Sequence, residues 1–173
     1  NALVWIIVLS LGFYGVKGGI FSLATGGNYR IWGPESSFIE DNNSLALALV
    51  MTLPLMRYLQ LRAKNKYLRW GMLVSILLTA VSILTSFSRG ALLASGIMAV
   101  FLAWKSQYRL RMFLAMLVLV PTMLAMMPQA WWDRMNTIQT YDKDASAMGR
   151  INAWMFAYNL ALDRPLVGGG FKA

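Results

Sequence analysis

Arg89 has the strongest claim to chemistry in this 173-residue chain. It sits in Thr85-Ser86-Phe87-Ser88-Arg89-Gly90-Ala91-Leu92-Leu93, between two apolar runs with hardly any loop to carry its charge away. An arginine at the centre of a membrane helix costs roughly 2.5–3.5 kcal/mol on insertion scales, so a guanidinium in or beside a membrane segment points to an anionic partner. The chain contains no cysteine and no histidine. Within these residues that excludes disulfides, Cys/His metal sites, cysteine nucleophiles and a histidine base. Chemistry is left to Arg, Lys, Asp, Glu, Tyr and the backbone. Phosphate or pyrophosphate on a lipid suits such arginines, because guanidinium binds its oxygens bidentately and stays charged. At an effective dielectric of about 20, each charge contact at ~4 Å is worth about 4 kcal/mol before desolvation, so two or three offset the cost of keeping the arginine near hydrocarbon. The same cations would stabilise charge building on a pyrophosphate leaving group without a metal.

Four further residues and one cap are candidates. Lys17 lies near the end of the first apolar run; it either snorkels outward or joins Arg89 in holding an anion. Residues 24–43 mix turn formers with Tyr29, Arg30, Trp32, Glu35, Glu40 and Asp41. A loop of this kind orders at the membrane surface and contacts a sugar through aromatic faces and side-chain hydrogen bonds. Asp41 also fits as the N-cap of the following helix, its carboxylate accepting from free N–H groups. Further on, Ile151, Trp154, Met155, Tyr158 and Leu162 recur at i, i+3, i+4, i+7 and i+11, which predicts an amphipathic helix with Ser146 as N-cap and a stop at Pro165. Such a helix would lie on the outer membrane face over the bundle. Arg150, in its first turn, points where Arg89 points or is simply solvated. Gly168-Gly169-Gly170 lacks the Gly-Lys-Ser/Thr ending of a phosphate-binding loop and reads as a flexible turn.

The elements that must position these residues are membrane helices. The chain is 58% hydrophobic and 13% charged, with a mean hydropathy of +0.52, outside the range of soluble domains. Its net charge of +9 does not signal nucleic acid, because the cations cluster in short segments between apolar runs. Five segments approach the roughly 20 apolar residues that a bilayer requires: 2–23, 44–61, 70–87, 90–104 and 112–127. Pro54 should kink the second. Arg57, Arg62, Lys64, Lys66 and Arg69 gather in one connection and Lys105, Arg109 and Arg111 in another; the positive-inside rule makes both cytoplasmic. Residues 24–43, the turn before Gly90 and everything after Met127 then lie outside. Trp70 and Trp104, and Trp131 with Trp132, fit interfacial belts at the two surfaces. A hydroxyl stripe (Ser75, Thr79, Ser82, Ser86) and a small-residue stripe (Ala91, Ser95, Ala99, Ala103) read as helix-packing faces. The expectation is an all-α, polytopic transmembrane bundle of about five spans over 1–128. Residues 129–173 begin a large outer loop, and both ends read as cut from something longer.

Three blocks carry a family resemblance: Ser88-Arg89-Gly90-Ala91; Gly149-Arg150 with Trp154; and Asp163-Arg164-Pro165-Leu166-Val167-Gly168-Gly169-Gly170-Phe171. In this order they resemble the O-antigen ligase and polymerase superfamily. Lys17-Gly18-Gly19-Ile20-Phe21, Gly26-Gly27-Asn28-Tyr29-Arg30-Ile31-Trp32-Gly33-Pro34 and Glu40-Asp41-Asn42-Asn43 look like its exosortase-associated O-glycosylation ligase branch. The resemblance implies a bacterial inner-membrane, metal-independent glycosyltransferase of the C-type helical class with a periplasmic active site and no cofactor. It would transfer a glycan from undecaprenyl-pyrophosphate, with inversion, to an acceptor that is lipid A-core, another glycan or a protein. The family arginines matching Arg89 and Arg150 hold the donor pyrophosphate, while Lys17, Arg30, Asp41 and Trp154 are candidates for substrate binding and the amphipathic helix becomes periplasmic. The histidine that the family places further along its large loop has no counterpart here, so this stretch is expected to be inactive alone. A polymerase using the same donor is the alternative reading. A transporter of polyprenyl-linked sugars is another, although no internal repeat supports it.

Overall fold

The computed structural model describes residues 2–125, 127–136, 145–165 and 168–169. The chain divides into two compact units, Asn1–Trp132 and Asp133–Ala173. Among the described residues all regular structure is helical: α1 (Ala2–Ala24), α2 (Asn42–Arg62), α3 (Lys66–Leu84), α4 (Arg89–Lys105), α5 (Arg109–Ala125), α6 (Gln129–Asn136) and α7 (Ala145–Asp163).

By length and composition α1, α2 and α3 can each cross a membrane, and α5 with α6 makes a fourth span if the bent pair is counted as one. All five helices expected from the sequence are present, but α4 and α5 have only 17 residues each. At 1.5 Å per residue that is ~26 Å, short of a ~30 Å hydrocarbon core. Helix α2 runs through Pro54 without a break.

The first unit is built on α1 and α3. Gly12, Gly15, Gly18 and Gly19 are buried on α1. With Ser22 they form one face, and without side chains they let α3 approach closely. A Cβ at Gly15 would lie 2.5 Å from Thr79 Oγ1, one at Gly18 2.5 Å from Ser82 Oγ, and one at Gly19 would collide with the backbone carbonyl of Leu78. Gly15 with Thr79, Gly18 with Ser82 and Ser22 with Thr85 advance together, so α1 and α3 run parallel. In a membrane, where lipid is as apolar as leucine, such backbone proximity and its dispersion contacts replace the hydrophobic drive. Thr79 and Ser82 are fully buried in this seam, so half of the hydroxyl stripe is packing surface. Ser75 bonds its own helix at Gly71.

Helix α2 lies antiparallel to α3. Leu45, Ala46, Leu49 and Val50 pack with Ile31, Ile83 and Ala91 into one apolar cluster, while Met56, Leu59, Met72 and Val8 form a second. The loops α2–α3 and α4–α5 fall at the same end, which gathers eight Lys and Arg there. Arg62 lies over Tyr58, Lys66 over Tyr67 and Arg111 over Tyr108, at 5.0–5.5 Å from the ring centroids, which holds the charges beside amphipathic rings. Trp70 and Trp104 are exposed at that end. Trp131 departs from the belt reading: it is 3% exposed, turned inward onto the end of α3.

In the second unit α7 starts at Ala145, one residue before the expected cap Ser146, and ends at Asp163 ahead of Pro165. Trp154, Met155, Tyr158 and Leu162 of the apolar stripe are exposed, and so is Phe156 outside it. The polar side narrows to Asn152, Asn159 and Asp163. The polar stretch Tyr141-Asp142-Lys143-Asp144, the Ser146 side chain and Gly170 lie outside the described residues.

The seam predicts a sharp contrast between glycines. Gly19→Val should destabilise the protein by at least about 1–3 kcal/mol through overpacking, whereas Gly71→Ala, whose Cβ meets nothing within 4 Å, should be neutral or slightly stabilising. Thermal unfolding of purified protein in detergent reads both.

Candidate functional site

The end of the bundle opposite the basic loops is organised around the four-residue turn that joins α3 to α4. The last carbonyls of α3 lack intrahelical partners, and other elements supply them. Trp131 Nε1 donates to Leu84 O at 3.0 Å, and Asn42 Nδ2 donates to Ser86 O at 2.7 Å. Ser86 Oγ donates to Ile83 O at 2.7 Å. From α1, Ser22 Oγ lies 2.6 Å from Thr85 Oγ1. Ser22, Asn42, Thr85, Ser86 and Ser88 are all buried, so each bond replaces water that cannot reach the group, and breaking one costs about 1–3 kcal/mol.

These bonds hold the backbone in an unusual shape. Phe87 adopts φ +59, a left-handed conformation rare outside Gly, Asn and Asp, with a cost on the order of 1–3 kcal/mol. Its side chain is buried. The kink lets Ser88 become the N-cap of α4: Ser88 Oγ accepts from Ala91 N at 3.3 Å, and Ser88 N donates to Ser86 Oγ at 3.3 Å. Arg89 is therefore the first residue of α4, half-buried at the rim. A cation there meets the positive end of the helix dipole, a mismatch of about 0.3–1 kcal/mol. An anion at the same spot reverses the sign, because it meets both the guanidinium and the helix N-terminus. The electrostatics of this rim suit a phosphate-like ligand.

A family model described as O-antigen ligase matches residues 73–173, more than half of the chain. The chain belongs to the O-antigen ligase family. No curated protein and no solved structure gives a match. The matched region of this O-antigen ligase family member holds Arg89, Arg150 and Trp154, and leaves Lys17, Arg30 and Asp41 outside. The protein is accordingly a membrane protein of the ligase- and polymerase-like glycosyltransferase kind.

Three of the sequence candidates share one end of the first unit. Asp41 caps α2: its Oδ2 accepts from Asn43 N at 3.0 Å and from Ser44 N at 2.9 Å. The next residue, Asn42, grips the Arg89 turn. Partial burial raises the Asp41 pKa, but the hydrogen bonds from the Ser44 backbone and hydroxyl and from Asn43 outweigh it, and the carboxyl titrates below its ordinary value. Arg30 is exposed in the α1–α2 loop, its guanidinium 5.8 Å from the Trp32 ring centroid. That loop is closed by Gly33 N donating to Glu40 O at 2.8 Å and Ser36 N donating to Glu40 Oε2 at 2.9 Å. Lys17 is different: it is exposed on the side of α1 opposite the glycine seam, at the level of Thr79 and Ser82 and well below the rim. Its orientation suits an outward-reaching lysine. Arg150 and Trp154 are exposed on α7.

The sequence reading missed Ser22, Asn42 and Trp131 as supports of Arg89. No local pattern marks them, since each acts across more than 40 residues of chain.

Because the folded pKa of Asp41 is depressed, its contribution is complete above the unfolded value near 3.9 and disappears as pH falls through the folded value. Asp41→Asn keeps an acceptor but loses the charge. The melting temperature of the native protein should exceed that of Asp41→Asn at pH 7, and the difference should shrink as the pH falls below the ordinary carboxylate value and through the depressed one. Asp41→Ala should lose about 0.5–2 kcal/mol at pH 7; an Ala variant as stable as the native protein would remove the capping role.

Proposed function

We propose that this protein works as an O-antigen ligase-like glycosyltransferase of the bacterial inner membrane, acting at the periplasmic face on an undecaprenyl-pyrophosphate-linked glycan. In this reading Arg89 binds the donor pyrophosphate. The acceptor hydroxyl attacks the anomeric carbon, the bond from that carbon to the pyrophosphate oxygen breaks with inversion, and undecaprenyl-pyrophosphate leaves with the electron pair. The acceptor proton passes to a general base; the histidine to which the resemblance assigns this part has no counterpart in this chain. Positive charge at the leaving group lowers the barrier without a metal or cofactor. Arg150 is kept as a second pyrophosphate ligand, and Arg30, Asp41 and Trp154 as substrate-binding residues, while Lys17, facing away below the rim, is left out of the site. The acceptor is lipid A-core, a glycan or a protein, with the exosortase-associated branch as the nearest subgroup.

The observation that carries the reading is Arg89 at the first position of α4, on a turn that four other side chains hold in place, inside the region matched by the O-antigen ligase family. The topology supports the orientation, since eight cations gather at the opposite end of the bundle and the positive-inside rule puts that end in the cytoplasm.

Arg89→Ala should reduce glycan transfer by about 100-fold or more, and Arg89→Lys should restore little, because an ammonium cannot make the bidentate contact. Both variants should insert normally, as read by protease protection of the loops. Normal transfer by a correctly inserted Arg89→Ala protein would overturn the assignment. The form of the product separates the two family activities: one glycan joined to an acceptor for a ligase, a ladder growing on lipid-linked glycan for a polymerase.

A further inference from the structure

The end of the bundle that carries the basic loops holds a cavity of about 480 Å³, lined by Trp5, Leu59, Arg62, Ala63, Lys64 and Leu68, within the size range of small-ligand sites. Three helix ends build it. Trp5 stands in the first turn of α1, Leu59 and Arg62 in the last turn of α2, and Leu68 in the first turn of α3. Leu59 and Arg62 are three residues apart and share one face of α2. Lys64 is the middle residue of the three that join α2 to α3.

This joint is tied down by its own hydrogen bonds. Gln60 is buried; its Nε2 donates across the joint to Arg69 O at 3.3 Å, and its Oε1 accepts from Arg57. Ala63 N donates to Gln60 O at 3.3 Å, and Asn65 Oδ1 accepts from Tyr67 N at 2.9 Å to cap α3. The Arg62 guanidinium lies over Tyr58. Two cations are thereby held beside an indole and two leucines, on backbone that needs little ordering when a ligand arrives.

Charge decides what fits. Within Asn1–Trp132 the carboxylates are Glu35, Glu40 and Asp41, all in the α1–α2 connection at the far end of α2, where Glu40 and Asp41 accept from backbone N–H groups. The basic end therefore has no acidic side chain of its own unit nearby. The first turn of α3 contains no acid either, so its positive helix end adds to the field. A soluble phosphate would meet the cations and gain nothing from Trp5, Leu59 and Leu68; a phospholipid uses both. Basic pockets between membrane helices on the cytoplasmic side bind anionic headgroups, and the positive-inside rule puts this end there.

We infer that this cavity binds the headgroup of an anionic glycerophospholipid of the cytoplasmic leaflet, with its phosphate on Arg62 and Lys64 and the first carbons of its chains against Trp5, Leu59 and Leu68. The site lies at the opposite end of the bundle from the Arg89 turn, and its ligand is a component of the membrane, not a reactant. By bridging Trp5 of α1 to the α2–α3 joint, the lipid stabilises the folded protein as any ligand of the native state does.

The test uses the whole protein in detergent, with phosphatidylglycerol as the probe. Phosphatidylglycerol should stay bound in native mass spectrometry and raise the melting temperature, and phosphatidylcholine should do neither; equal effects of the two lipids overturn the inference. Arg62→Gln with Lys64→Gln should weaken phosphatidylglycerol binding about 10-fold or more. Lys105→Gln with Arg109→Gln, the same charge change in the α4–α5 loop, should leave binding near the native value. Equal losses in the two double variants would make the attraction a diffuse field of the basic end and sink the pocket. Lys64→Gln alone, at an exposed position, serves if the first double variant melts early without lipid, with an expected loss of about 5-fold. Glycerol 3-phosphate, which carries the phosphate without the chains, should fail to displace the lipid at equal concentration; displacement would assign the site to a soluble phosphate. Displacement by a polyglutamate peptide at equal concentration would assign it to an acidic protein segment, and either result overturns the lipid reading.

Discussion

Everything at the functional end depends on the satisfaction of a few buried carbonyls. Helix α3 must stop abruptly for α4 to begin within four residues, and an abrupt stop leaves acceptors stranded away from water. Trp131 and Asn42 reach Leu84 and Ser86, and the Ser22 hydroxyl meets Thr85. With these bonds made, the strain at Phe87 is outvoted, since several bonds worth about 1–3 kcal/mol each when buried oppose a single distortion of similar size. The reward is geometric. Arg89 is delivered to the first position of a helix, half out of the protein, without a flexible loop beneath it.

The rigidity of the turn is inherited from the seam below. Gly15, Gly18 and Gly19 bring α1 against α3 closely enough that Ser22 arrives within bonding distance of Thr85. Sliding α1 by one residue would rotate the glycines away and put side chains in their place, so register and position are set together. On the other side, Asp41 caps α2 and its neighbour Asn42 becomes the clamp. Helix initiation and site construction therefore use adjacent residues, one facing solvent and one facing the protein.

What could be read in advance was what local chemistry determines. Apolar run lengths located five helices to within a few residues, Asp41 announced its cap, Pro165 ended α7, and clustered cations marked one end of the bundle. The left-handed Phe87 had no signal, because the turn contains none of the Gly, Asn or Asp that normally mark such backbone. The burial of Trp131 ran against the general habit of tryptophan at membrane surfaces; a long-range hydrogen bond prevailed. The glycine face of α1 was legible in principle, since residues 12, 15, 19 and 22 share one helical side, but small residues draw less notice than hydroxyls. Arg89 stood out for its charge alone, while the groups that hold it came from three distant segments.

The bond between Ser22 and Thr85 joins residues 63 apart, and this separation bears on biogenesis. A ribosome adding roughly 5–20 residues per second releases α1 several seconds before the end of α3 exists. Through that interval the glycine face of α1 has only lipid or the insertion machinery for company, with α2 threading the bilayer in the opposite sense beside it. The contact between α1 and the end of α3 is thus closed late, by lateral capture of a helix that has been waiting in the membrane.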